Sequence, residues 1–500
     1  MKIVIVGTGT ASWISAFVLS HTTDNEIVVI ENTDIGIIGV GEGSTNIFID
    51  LINGKHFKSK VHINDFIKAL DCTPKLAIHF KDWTAKKGYD YYSPIDGTRT
   101  AFNFKDKLFI YALKTFKEKY HLASKCGYAV ENNKMEGGAF HFDTTKVGSF
   151  FRPFCEDKGV KVINAFIDSV ELDENGNIKN LLTKSKEKIS GDFFIDATGF
   201  HKALFKHLDY KWIDYKNNLP MNKAIPFHIR YENMTKEEFY KVKAVTTAQA
   251  MNAGWQWKIP TTRRLGCGYV FSDDFISDAD AMKELDVFYD GKVDILKTIP
   301  FRSGRLENQW IKNVLAIGLT GAFAEPLQAT SIHTTITQII RFSQSYCKNN
   351  IQITLDDKMR DKFNLEMSRL YDDMRDFLVL HYTGDRDDTN FWKFIKTKEH
   401  ITPLVKNMID YSKHSIPDFN TMPVYYGHVN HQLWNWTLAG LGYLTPELAE
   451  KETKLYNLDD EELLFNHIKY LDEQTKNSLS FQDFIMGNNE EAKNKFKDGN

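Results

Sequence analysis

Gly7-Thr8-Gly9-Thr10-Ala11-Ser12 sets two glycines among small residues, the composition a backbone turn needs to come close to a pyrophosphate. Glu31, about 20 residues further on, is an acid able to accept from a ribose hydroxyl. Ser12 stands where the third glycine of the dinucleotide fingerprint usually lies, and a small side chain there still permits close helix–strand packing. Gly254-Trp255-Gln256-Trp257-Lys258-Ile259-Pro260 places two tryptophans on alternate positions. On a strand they share a face and Pro260 ends it; the pair reads equally as core or as a ligand-stacking wall. Lys75, beside Leu76 and Ile78, carries an amine whose residue type alone describes a snorkelling surface cation.

The elements that must position these groups follow from periodicity. Lys2-Ile3-Val4-Ile5-Val6 is a short apolar run, Trp13 to Leu19 repeats apolar residues at helical spacing, and Glu26 to Glu31 is a second strand ending in its acid. Strand, glycine turn, helix, strand and terminal acid make a dinucleotide-binding βαβ unit. Phe193-Phe194-Ile195-Asp196-Ala197-Thr198-Gly199 and Val314-Leu315-Ala316-Ile317-Gly318-Leu319-Thr320-Gly321 repeat the strand-to-glycine junction, which argues for one interleaved domain over the first 330 residues. Residues 222–275, rich in β-branched and aromatic side chains, predict a sheet over the ligand site. From about residue 334 the pattern turns helical, most clearly at Asp356–Phe377 and Asp459–Leu471, and the polar tail from Gly487 is expected to fray. The fold class is therefore α/β: a Rossmann-like dinucleotide domain over 1–345 with an inserted β-sheet at about 205–300, then a mainly helical substrate-covering region over 346–500.

Composition excludes several classes. With 500 residues, 42% hydrophobic and 26% charged, the chain has the material of a folded globular protein, not of a disordered or collagenous one. Lys+Arg 63 against Asp+Glu 66 leaves a formal charge of -3, so no global field holds nucleic acid or an anionic membrane. No apolar run approaches the ~20 residues that cross a bilayer. A strand begins at Lys2 with no leader pattern before it, which predicts a cytoplasmic protein. Five scattered cysteines, Cys72, Cys126, Cys155, Cys267 and Cys347, with no C-x-x-C read as buried thiols in a reducing compartment, without a structural metal.

Trp255-Gln256-Trp257-Lys258-Ile259-Pro260 resembles the W-x-W-x-I-P signature of flavin-dependent halogenases, the tryptophan halogenase family. The likeness extends along the chain. Gly39-Val40-Gly41-Glu42 resembles the family's G-V-G-E segment near the flavin, and Pro74-Lys75-Leu76 its lysine-bearing segment. Arg264 to Ser272 is similar to the strand after the tryptophans, and Glu325-Pro326-Leu327-Gln328-Ala329-Thr330-Ser331 to the E-P-L-E-x-T block. Met374 to Tyr382 with Asp387 to Trp392 is similar to a later helix and loop.

This resemblance implies an oxidoreductase in which reduced FAD, supplied by a separate flavin reductase met transiently or by diffusion, reacts with O₂ and a chloride, bromide or iodide ion to give hypohalous acid. Gly7, Gly9, Thr10, Ala11, Ser12, Glu31, Gly39, Val40, Gly41, Glu42, Gly318 and Leu319 are the expected cofactor-binding residues. Lys75 matches the lysine that forms a haloamine or hydrogen-bonds the oxidant while a small electron-rich arene, indole or phenol, attacks. Thr330 and Ser331 match the halide-binding positions, and Trp255 and Trp257 the walls that keep substrate from the flavin. No metal is implied, and a homo-oligomer is compatible with the whole.

One position departs from the pattern: Gln328 replaces the family's glutamate. An amide has almost no basicity but can still orient hypohalous acid. Restoring the acid by Gln328→Glu is expected, on the resemblance alone, to raise the rate. Glu325, three residues earlier, matches the family's own E-P pair and is expected to be structural. Ring-stacking surface is offered by Met422-Pro423-Val424-Tyr425-Tyr426-Gly427-His428 and by Trp434 and Trp436, which at helical or turn spacing are core more often than pocket. Two other readings remain open: an FAD-dependent aromatic monooxygenase, and a silent flavin-binding homologue.

Overall fold

Ile3, Val4 and Ile5 have no exposed surface on either face, the condition of a parallel strand covered on both sides, and the strand Lys2–Val6 lies in the middle of a six-stranded sheet. Across that sheet run Trp310–Ile311, Val314–Ala316, Phe193–Asp196, Lys2–Val6, Glu26–Glu31 and Lys161–Asn164, parallel except at the Trp310–Ile311 edge. All three strand-to-glycine junctions expected from the sequence are thus neighbours, with their C-terminal ends at one edge where ligands of doubly wound sheets bind. Helix Thr10–Thr22 covers one face together with Val147–Glu156 and Thr330–Phe342. The computed structural model describes residues 1–34, 36, 42–293, 297–347, 357–421, 429–458, 460 and 462–496, with Glu42 described through its backbone alone.

A seven-stranded sheet packs over the cavity, in the order Ile299–Pro300, Lys223–Arg230, Arg264–Phe271, Gly254–Pro260, Val245–Met251, Ala77–Lys81 and Asp90–Pro94. Residues 222–275 do form sheet, as their composition predicts. Two of its strands, however, come from residues 77–94, and Val245–Met251 pairs with Ala77–Lys81 in parallel. The sheet is therefore completed by chain far upstream, not by a single insertion at 205–300. A small third sheet joins Glu42–Gly43, Ala139–Phe142 and Thr73–Lys75.

The later chain is helical. Asp357–His381 is a 25-residue helix, and Glu462–Thr475 lies close to its expected span. Trp436 and Trp434 are buried on His431–Gly440, Trp436 stacking on Tyr120 with centroids 6.0 Å apart, so both belong to the core. Residues 422–428 lie outside the described residues. All five cysteines are free and buried. Among the described residues no helix is long and apolar enough to cross a membrane, and no cluster of three His, Cys, Asp or Glu is placed to hold a metal.

Candidate active site

A cavity of about 600 Å³ opens where the central sheet meets the seven-stranded one. Gly7, Gly9, Thr10, Ala11, Gly318 and Leu319 line it, so the first and third strand-to-glycine junctions share one wall. The glycines differ in what they do. A Cβ on Gly7, at φ +151°, would meet the Ala197 carbonyl oxygen at 2.4 Å, so packing against the adjacent strand demands glycine. A Cβ on Gly9 would meet nothing within 4 Å, and no side chain caps helix Thr10–Thr22. That clear space before an uncapped helix N-terminus is what a pyrophosphate requires, and the cavity volume lies in the range of cofactor pockets, so the residues present fit FAD.

Ser12 is buried behind this turn and is not part of the wall. Glu31 does not line it either: its Oε1 accepts from Arg152 Nη1 at 2.7 Å, while Asn32 faces the cavity in its place. Gly39, Val40 and Gly41 lie outside the described residues, and Glu42 pairs by its backbone with Phe142.

Lys75 lies on the same wall, and burial contradicts the snorkelling reading of its residue type. It is 1% exposed, at the end of strand Thr73–Lys75, its Nζ donating to the Ser44 carbonyl at 3.2 Å. Gly43 lies directly against it, since a Cβ there would come within 2.9 Å of Nζ. Among the described residues no carboxylate pairs with the amine. Burial pulls its pKa from 10.5 down to about 7, so neutral amine and ammonium coexist near neutral pH.

One residue that sequence reasoning missed lies beside Lys75. His141, fully buried on the neighbouring strand, has Nε2 2.8 Å from Thr246 Oγ1, and Thr246 lines the cavity. Thr73 gives its hydroxyl hydrogen to the Pro260 carbonyl, so its oxygen receives His141 Nδ1–H and Nε2 accepts from Thr246. Burial, and then the nearby Lys75, hold His141 neutral.

Trp255 and Trp257 both face the cavity from strand Gly254–Pro260, their rings 6.2 Å apart. Gly268 on the adjacent strand exists for Trp257: a Cβ there would fall 2.1 Å from the indole. Behind Trp255, Glu325 is fully buried, its two oxygens accepting from Tyr382 Oη at 2.8 and 3.0 Å. Burial pushes its pKa up to about 8, opposed by the hydrogen bond from Tyr382. Glu325 is outside the cavity wall and is tied to Tyr382 at the end of the long helix.

Gln328 does reach the cavity. It and Ala329 sit at φ 67° and 55°, two left-handed residues in succession without glycine, a strain of about 1–3 kcal/mol each of the kind held at functional turns. The turn delivers the chain into helix Thr330–Phe342 with no side-chain cap, leaving the first N–H groups free to meet an anion. Ser331 lines the cavity, whereas Thr330 is buried and is not part of its wall. Gln328 Nε2 lies 2.9 Å from Nε2 of His381, a second residue missed in the sequence, buried at the end of the long helix.

A tryptophan halogenase family model matches residues 2–456, a span that contains the dinucleotide turn, the buried lysine and the tryptophan strand. The chain belongs to the tryptophan halogenase family. Tryptophan 6-halogenase SttH of Streptomyces toxytricini is 29% identical over 473 residues, covering 85% of this chain and 86% of that protein. Tryptophan 7-halogenase RebH of Lentzea aerocolonigenes is 27% identical over 513 residues, covering 92% and 93%. Among solved structures, Tar14, a tryptophan C-6 flavin-dependent halogenase (chlorinase) from taromycin biosynthesis, superposes with TM-score 0.86 at 25% identity over 97% of this chain and 99% of its own. The protein is accordingly an oxidoreductase-type enzyme of the flavin-dependent halogenase family, and its α/β fold with a helical C-terminal part is the family's.

Proposed function

We propose that the protein halogenates an electron-rich arene of the indole or phenol class through Lys75. The observation that supports this most strongly is a fully buried lysine, its pKa pulled to about 7, on the wall that also carries the dinucleotide turn and the paired tryptophans. When bound, reduced FAD supplies two electrons with O₂, so that X⁻ + O₂ + FADH₂ + H⁺ gives HOX, water and FAD.

The chain's own residues do the rest. The Gly7–Ala11 turn and the helix after it hold the cofactor's pyrophosphate by backbone N–H groups. The N–H groups of Thr330 and Ser331 hold the halide at a second helix start. Trp255 and Trp257 keep the arene away from the cofactor, so hydroxylation is disfavoured by exclusion.

At Lys75 the neutral amine takes the halogen from HOX with loss of water, or the ammonium donates a hydrogen bond to the HOX oxygen. In either case the ring carbon forms the C–X bond as the N–X or O–X bond breaks, the departing nitrogen taking up a proton from water to leave as the Lys75 amine, or the departing hydroxide taking one from the ammonium to leave as water. The ring proton then passes to water, since the Gln328 amide cannot hold it. The relatives named above act on tryptophan; an indole is the substrate class they favour here. Incubating the protein with reduced FAD, O₂, bromide and a panel of indoles and phenols tests the reading by product mass. Brominated product is expected, whereas hydroxylated product would favour the monooxygenase reading.

A further inference from the structure

Gln328 stands where the family resemblance expects a carboxylate, and the contacts of His381 show what the amide does instead. The imidazole Nδ1 lies 2.8 Å from the Phe377 carbonyl oxygen, one turn back on its own helix. A carbonyl oxygen only accepts, so Nδ1 must carry the proton and Nε2 must carry the lone pair. Nε2 in turn lies 2.9 Å from the Gln328 amide nitrogen, which only donates. Thr437 Oγ1, at 3.5 Å from Nε2, already gives its hydrogen to the Leu433 carbonyl at 3.2 Å and offers no competing donor. The chain of donors therefore runs one way: Gln328 N–H to His381 Nε2, and His381 Nδ1–H to Phe377.

This direction leaves the acceptor end of the amide unengaged. One of the two Gln328 amide N–H groups is bound to a fully buried imidazole behind the wall, and the carbonyl oxygen is left for the cavity that Gln328 lines. Resting on the halogenase reading, we propose that His381 is a positioning residue that turns Gln328 into a hydrogen-bond acceptor for the Lys75 amine or for hypohalous acid. The pair replaces a charged acceptor by a neutral one whose orientation is set from behind.

The side chains packed on His381 keep it a neutral acceptor. Phe80 from the sheet, Trp83 just beyond that strand, Phe377 from its own helix and Thr437 from the helix opposite bring no charge, and burial pulls the imidazole pKa down to about 4. A carboxylate at position 328 would face that lone pair, and one proton would have to be taken up and shared between acid and imidazole. The expectation drawn from the resemblance is thereby reversed: Gln328→Glu gives a coupled acid–imidazole pair, not a free base.

The test uses the FAD-loaded enzyme. Histidine-¹⁵N NMR, with His381→Gln as the blank that assigns the signal, is expected to show a protonated Nδ1 and an unprotonated Nε2 from pH 6 to 8. His381→Leu, which removes the acceptor, should lower kcat about tenfold with KM for the arene little changed. His381→Gln, whose carbonyl can take the place of Nε2, should stay within about threefold of the parent. Gln328→Glu should be no faster than the parent at pH 7 and should add an ionisation to the pH–rate profile, which the double variant Gln328→Glu/His381→Gln removes. An Nε2–H tautomer, or a Gln328→Glu enzyme faster than the parent, would overturn the proposal. A parent that halogenates nothing while showing the Nδ1–H tautomer would instead remove the halogenase reading and leave the hydrogen-bonded pair intact.

Discussion

At the residue scale, Lys75 and Glu325 load the fold with pH dependences of opposite sign. Lys75 titrates near 7 when folded and at 10.5 when unfolded, so the native state binds fewer protons across that window and stability rises with pH through it. Below pH 7 the whole penalty of a buried ammonium is present, on the order of 5 kcal/mol at about 1.4 kcal/mol per pKa unit. Lys75→Met is expected to raise Tm at pH 6, with a gain that shrinks as pH climbs from 7 to 10.5, in calorimetric scans across that range. Glu325 is held protonated up to about pH 8 against 4.5 unfolded, so its contribution is full below 4.5 and is lost as pH rises through 8. Glu325→Gln, able to keep an acceptor for Tyr382, should match the parent in urea unfolding at pH 5 and exceed it at pH 9. Residue type revealed little of this. A lysine beside leucine reads as surface until strand Thr73–Lys75 pairs with Ala139–Phe142, and that pairing joins residues too distant for local pattern to show. His381 had a faint signal, a histidine ending the apolar run Phe377-Leu378-Val379-Leu380.

At the scale of elements, the turn after strand Lys2–Val6 separates packing from binding. Gly7 is required by Ala197 on the neighbouring strand, whereas Gly9 faces open space. Gly9→Val should therefore leave the far-ultraviolet spectrum and the ligand-free Tm unchanged while weakening FAD at least tenfold by titration, because the new side chain fills the pyrophosphate's place. Unchanged affinity would move the pyrophosphate elsewhere. This βαβ unit was legible because its signal is local: an apolar run, small residues, helical spacing and a second apolar run, all within 31 residues. The terminal acid was legible as a residue but not in its direction, since Arg152 arrives from a helix over a hundred residues later. The seven-stranded sheet was half legible for the same reason. Residues 222–275 are rich in β-branched and aromatic side chains, as strands are, but the pairing of Val245–Met251 with Ala77–Lys81 is a long-range parallel contact.

At the scale of the whole molecule, one cavity collects groups from residues 6 to 335, and the helical part from Asp357 onward supports it from outside by His381 and Tyr382. Family membership covers nearly all of this body, and what it leaves to test is the chemistry assigned to Lys75. The direct measurement is a single turnover with pre-reduced FAD, O₂, bromide and an indole or phenol, with free hypobromous acid scavenged and products read by mass. The parent is expected to give a monobrominated arene, and Lys75→Met none, while both consume the reduced flavin at similar rates. Brominated product from Lys75→Met at the parent's yield would contradict the account.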